Sequence, residues 1–138
     1  MSSIAEIQEA VYSLGEQIGA PRSLLVVKES SPEDGSPHVE VKSNEYSYVC
    51  SERCFEIYRK RTTSLDDLLY WIISAVAFKL ASDFEVANRI ADADSRRLLF
   101  SKYISILGLI SEEWHKKASD EVESILTKAP YSDSSAES

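Results

Sequence analysis

Between Leu68 and Ala81 the chain is apolar on nearly every side of a helical wheel, broken only by Ser74 and Lys79. A helix without a polar face has to be covered on several sides, so whatever this chain folds into is built around that segment. The stretch falls short of the roughly 20 residues needed to cross a bilayer, and no membrane span is expected. Its start is marked by Ser64 with Asp67 three residues on, a capping-box-like pair, and Asp66 and Asp67 place negative charge at the positive end of the helix dipole. With 138 residues, 43% of them hydrophobic, the chain has enough apolar side chains to cover such a helix in one domain without metals or disulfides.

The segments before it alternate between two periods. Ser3 with Glu6 is a capping box, and Ile4, Ile7, Val11, Leu14 and Ile18 follow at spacings of three and four, predicting an N-terminal helix that Gly19 and Pro21 end. Leu24 to Val27 is an aliphatic run of strand length, followed by the turn-rich Ser30 to Pro37. Val39 and Val41 alternate with Glu40 and Lys42, Tyr46, Tyr48 and Cys50 share one face of a further strand, and Phe55, Ile57 and Arg59 alternate with Glu56 and Tyr58. A tight reversal near Ser51 to Cys54 lets the last two run antiparallel, so the expectation is a four-stranded antiparallel sheet.

After the buried helix, Asp92 or Asp94 can cap a helix whose apolar face includes Leu98, Phe100, Tyr103, Ile106 and Leu107. Ser111 can cap a last helix with a stripe of Trp114, Ala118, Val122, Ile125 and Leu126, ended by Pro130. The fold class read from this order is α+β: an N-terminal helix, the sheet, a long buried helix and two further C-terminal helices. Residues 1–130 are expected to form a single domain and residues 131–138 a flexible polar tail.

Chemistry is sparse. The 23 acidic residues outnumber the 15 basic ones, giving a net charge of −8 and arguing against phosphate-backbone binding, so no nucleic-acid partner is expected. His38 and His115 are too far apart for a clustered zinc pair, and Cys50 and Cys54 supply at most half a metal site. Two close cysteines do not make a disulfide scaffold, and together with an N-terminus that shows no secretory pattern they suggest reduced thiols in a cytoplasmic protein. No Walker loop, dinucleotide fingerprint or nucleophile elbow occurs, so no cofactor is expected.

Other charged residues have two readings each. Asp92 and Asp94 could hold a divalent ion, or cap a helix. Glu52 beside Arg53 could be a tuned acid, or a solvated turn pair. Arg59, Lys60 and Arg61 could contact phosphate, or end a strand in solvent. Arg96 and Arg97 stand in the first turn of a helix, where cations oppose the dipole, so a carboxylate such as Asp92 or Asp94, or a partner, has to compensate them. Trp71 and Trp114 fall within apolar helical patterns, as core residues do.

Several of these segments occur as an ordered set. Tyr46 to Cys54 (YSYVCSERC), Thr62 and Thr63 before Leu65 to Ile72 (LDDLLYWI), Asp94 to Phe100 (DSRRLLF), Trp114, and Ile125 to Tyr131 (ILTKAPY) resemble, in order and spacing, the bacterial polymorphic-toxin immunity protein 63 family. The pattern differs at Cys54, where the family has glycine, and a positive φ there would be strained. The resemblance implies a non-catalytic protein, made beside a toxin, that binds the cognate toxin domain and neutralises it. It implies that Tyr48, Glu52, Arg53, Arg59, Asp94, Arg96 and Arg97 are motif residues, serving either the partner interface or a buried polar network. An acidic surface would speed encounter with a basic toxin. The competing classes are a small divalent-metal-dependent hydrolase or nuclease using Glu52 and the aspartates, and a protein-binding adaptor.

Overall fold

The structure, a computed structural model, describes residues 2–30, 34–52 and 55–133. Its elements run α1 (Ile4–Gln17), a 3-10 turn (Arg22–Leu24), β1 (Asp34–Val41), β2 (Tyr46–Glu52), β3 (Phe55–Thr62), α2 (Leu65–Ala87), α3 (Ser95–Gly108) and α4 (Glu112–Lys128). The chain divides into two compact units, residues 1–73 and 74–138, with the division falling inside α2.

In the first unit the capping box forms as the sequence requires: Ser3 Oγ accepts from the Glu6 N–H and the Ser3 N–H donates to Glu6 Oε1 at 2.9 Å. Ile7 and Val11 are fully buried. Gly19, at φ 72°, ends the helix in the left-handed region that glycine enters without strain. Gly15 is in contact range of the buried Leu25 side chain, and any Cβ there would collide with its methyls.

The expected four-stranded sheet has three strands among the described residues, in the order β1-β2-β3, both pairs antiparallel. The run Leu24–Val27 is the one that fails to become a strand. Its backbone groups are satisfied by a side chain: Gln8 Nε2 donates to the Leu25 carbonyl at 2.7 Å, and the Val27 N–H donates to Gln8 Oε1 at 2.8 Å. Among the described residues one backbone bond, Val39 N–H to the carbonyl of Lys28 just after this run, links it to β1. Four aliphatic residues predict burial, and Leu25 is indeed buried, but burial without a ladder leaves the strand unmade.

The β1–β2 reversal closes with the Lys42 N–H donating to the Glu45 carbonyl. At the other end Glu52 pairs with Phe55, so β2 and β3 are joined by two residues, with a register shift after Cys50. Those two residues, Arg53 and Cys54, lie outside the described residues, and so does the consequence of cysteine at the family's glycine position. β2 is the central strand, and Tyr46 through Ser51 are all buried, which is why its sequence mixes apolar and small polar residues instead of alternating with charges.

The α2 start uses Ser64, whose Oγ accepts from the Asp67 N–H, while Thr62 Oγ1 donates to Asp67 Oδ2 at 2.9 Å and ties the end of β3 to the helix. Leu68, Leu69, Tyr70 and Ile73 are buried in this unit. In the second unit Val76, Ala77 and Ala81 continue the buried run of α2, while Phe78 and Val86 are exposed. α3 packs on α4, which presents Trp114, Ala118 and Val122 as its buried stripe. Ile125, expected in that stripe, is exposed at the end of the helix. Asp94 and Ser111 are the N-caps of α3 and α4. Among the described residues no helix is long and apolar enough to cross a membrane.

Candidate functional site

Of the residues singled out from the sequence, those with described side chains fall into two regions, Tyr48 and Arg59 in the first unit and Asp94, Arg96 and Arg97 in the second. In the first, Tyr48 lies on the central strand and is 5% exposed. Its ring centroid is 6.3 Å from those of both Tyr58 and Trp71, and the Lys60 ammonium stands 5.7 Å from the Tyr58 ring centroid and 5.6 Å from that of Trp71. Burial holds the Tyr48 phenol well above its ordinary pKa, so it is a neutral core side chain.

On the other face of the sheet, Arg59 donates to Glu40 Oε1 at 2.7 Å and to Glu56 Oε1 at 2.8 Å, and Glu40 also meets His38 Nε2 at 2.9 Å. The residues come from all parts of the register that alternation brings together: Arg59 pairs with Val49, which pairs with His38, so the charges lie around a buried valine. Hydrogen bonds from Arg59 and then His38 pull the Glu40 carboxyl from 4.5 to about 2, keeping it ionised over the whole physiological range. Beside this network the Ser47 hydroxyl and His38 Nδ1 are buried with no hydrogen-bond partner among the described residues. Glu52 belongs to β2 by its backbone, and Arg53 lies outside the described residues.

In the second unit Asp94 is the centre. Its Oδ1 accepts from the Arg96 N–H at 3.0 Å, as an N-cap does, and its Oδ2 accepts from Arg96 Nη2 at 2.7 Å and from the Ser132 N–H at 2.9 Å. Arg96 then reaches past its own helix to the carbonyls of Ala129 and Pro130, each at 2.8 Å, just beyond the end of α4. Arg97 Nε donates to Asp133 Oδ1 at 3.0 Å, and the same oxygen accepts from the Asp94 N–H at 2.8 Å. Between these bonds the Tyr131 ring lies 4.3 Å from the Arg97 guanidinium and 5.6 Å from that of Arg96.

The apparent misplacement of two cations in a helix's first turn is thereby explained. Arg96 is wrongly placed for the dipole of α3 and rightly placed for that of α4, since it lies at the negative end of α4 and bonds the two carbonyls that follow it. Arg96 meets the carboxylate expected for it, Asp94; Arg97 takes one that was assigned to the tail, Asp133. Tyr131, Ser132 and Asp133 are thus fixed to the start of α3. Sequence reasoning missed Glu40, His38, Tyr131 and Asp133. The signal for Asp133 was present, because two uncompensated cations at a helix start call for two carboxylates and Asp94 is one.

Among the described residues no group of three or more His, Cys, Asp or Glu is placed to hold a metal ion. Asp94 is saturated by arginine and backbone donors, and Asp92 occupies a left-handed turn at φ 64°. What these bonds do chemically is link segments of the chain: Arg59, Arg96 and Arg97 each donate to a carboxylate of the same unit through charge-assisted bonds.

The family model for Immunity protein 63 matches residues 42–124, more than half of the chain. The chain belongs to the immunity protein 63 family. No curated protein and no solved structure gives a match. The family match takes in β2, β3, α2, α3 and most of α4, and with them Tyr48, Glu52, Arg53, Arg59, Asp94, Arg96 and Arg97. It stops before the segment from Ile125 to Tyr131, which the Asp94 cluster nonetheless ties to the matched part.

Proposed function

We propose that this chain is an immunity protein that acts in the cytoplasm of the producing cell, binding a cognate toxin domain one to one and neutralising it without catalysis. The observation that carries the reading is the match of the immunity protein 63 family over residues 42–124. The geometry supports it in one respect: Arg59, Asp94, Arg96 and Arg97, the charged motif residues with described side chains, are already engaged by partners within the chain. Inhibition by surface binding asks only for a stably presented face, and these networks supply the rigidity that tight, slowly dissociating complexes need.

The test is co-expression with the toxin domain encoded beside this chain. Cells making the toxin domain alone should stop growing, cells making both should grow, and the two proteins should co-elute as a complex of fixed stoichiometry. Growth arrest that persists with the chain folded and abundant would refute the reading.

A further inference from the structure

β3 is the last strand of the sheet, and its outer edge carries no backbone hydrogen bond among the described residues. The register shows which of its groups are open. Val39 turns its N–H away from β2 to the Lys28 carbonyl, and Val39 pairs with Tyr48, so the main-chain groups of Tyr48 turn instead toward β3, where its partner is Lys60. Alternation along an antiparallel ladder then directs the N–H and C=O of Tyr58, Lys60 and Thr62 inward to β2, and those of Arg59 and Arg61 outward. The side chains along this edge are open too: Ile57 is 56% and Tyr58 40% exposed, and Lys60 and Arg61 are exposed.

An open, eight-residue edge is a template for another strand, and folded proteins guard such edges with charge. Here the guard has a sign. Arg59 is neutralised by Glu40 and Glu56, but Arg61, 63% exposed, has among the described residues one ion pair, a loose contact of 3.7 Å with Glu45. Lys60 rests over aromatic rings and has no carboxylate at ion-pair distance among the described residues. Glu40, Glu45 and Glu56 balance Arg59, Lys60 and Arg61 in number, but between Ile57 and Thr62 the strand itself carries these three cations and no carboxylate, and Lys60 and Arg61 are the exposed ones. A second copy of the chain, pairing antiparallel across a two-fold axis here, would set the Arg59–Arg61 stretches against each other, and like charges directly opposite destabilise a strand pair.

We propose that the outer edge of β3, from Ile57 to Thr62, accepts an extended segment of the toxin with acidic side chains as a fourth strand of the sheet. Its main chain bonds to Arg59 and Arg61, and its carboxylates meet Lys60 and Arg61. The proposal rests on the immunity reading and names the surface it uses. Main-chain bonds supply affinity in strand addition, and the charges set register and partner choice.

The experiment is a titration of the full chain with the toxin domain encoded beside it, at low and high salt, with hydrogen exchange on the free chain and the complex. Arg61→Ala removes the charge and keeps the outward N–H; Arg61→Pro removes both, at a position whose N–H the β2–β3 ladder does not use. Arg61→Ala should weaken binding by about threefold, and Arg61→Pro by a further tenfold or so, the equivalent of one or two lost hydrogen bonds. Lys60→Glu should slow association, most at low salt. In the wild-type complex the Arg59 and Arg61 amides should become protected, which decides the matter even if Arg61→Pro fails to fold. Toxin bound as tightly by a folded Arg61→Pro as by Arg61→Ala, with those two amides still exchanging freely, would overturn the proposal and leave the immunity reading standing. A wild-type chain that binds no toxin would bring down the immunity reading itself. A free-chain dimer abolished by Arg61→Pro would assign the edge to a second copy and overturn the proposal.

Discussion

Glu40 shows how a single exposed-looking residue becomes structural. It alternates with valines on β1 and reads as a solvent-facing carboxylate, yet it accepts from Arg59 on β3 and meets His38 two residues earlier on its own strand. Its carboxyl is held down at about 2 against 4.5 when free, so the stabilisation it gives is fully present above 4.5 and is lost as pH falls toward 2. Urea unfolding should therefore find Glu40→Gln less stable than wild type by about 1 kcal/mol at neutral pH, the order expected for a partly exposed charged bond. The gap should close as the pH is lowered through that window. A difference independent of pH would show that the ion pair contributes nothing and only packing changed. Gly15 and Gly19 are the complementary case, residues whose lack of a side chain is used once for contact with Leu25 and once for a left-handed helix end.

At the scale of elements, the start of α3 and the end of α4 are one device. Asp94 caps the first, Arg96 bonds the two carbonyls that follow the second, and Asp133 closes the loop through Arg97. Removing the central carboxylate leaves Arg96 without its partner and the Ser132 N–H without an acceptor, so Asp94→Ala should lower the melting temperature by several degrees. Chymotrypsin should at the same time cut after Tyr131 faster than in wild type, since Arg96 loses the carboxylate that aims it at the ring and the Ser132 N–H next to it loses its acceptor. Melting that drops without faster cleavage would confine the role of Asp94 to its own helix cap. Arg96→Lys should lower the melting temperature as well, because Arg96 meets the carboxylate and two carbonyls through separate nitrogens of a planar fork, and a lysine offers all its donors from one atom.

For the whole molecule, the division between charges that hold the fold and charges left open predicts two kinds of loss of protection. Variants of the Asp94 cluster should protect cells against the co-expressed toxin in proportion to the folded protein they accumulate. Variants of the β3 edge should fail while fully folded. Measuring soluble protein and growth in the same cultures separates the two, and Asp94→Ala protein that accumulates at wild-type level yet fails to protect would move that cluster into the interface. The net charge of −8 and the exposed Lys60 and Arg61 matter at different stages: with a screening length of about 8 Å the summed charge acts weakly and mainly at low salt during approach, and the local cations dominate on contact.

The helices were legible in the sequence because their determinants are local. Ser3 with Glu6, Ser64 with Asp67, Asp94 and Ser111 each cap within three residues, and the apolar run from Leu68 makes α2 unmistakable. β2, β3 and the second half of β1 followed from period-two alternation and close turns, whereas Asp34 to Pro37, read as part of a turn, belong to β1. The order and spacing of the motifs also carried the family. What only the tertiary structure decided were partnerships across many residues: Gln8 taking the backbone of Leu25 and Val27 away from a strand, Glu40 choosing Arg59, and Asp133 choosing Arg97. A cap is chosen by atoms a turn away, whereas a side chain that reaches 17, 19 or 36 residues along the chain is chosen by which elements fold beside it, and no local pattern encodes that choice.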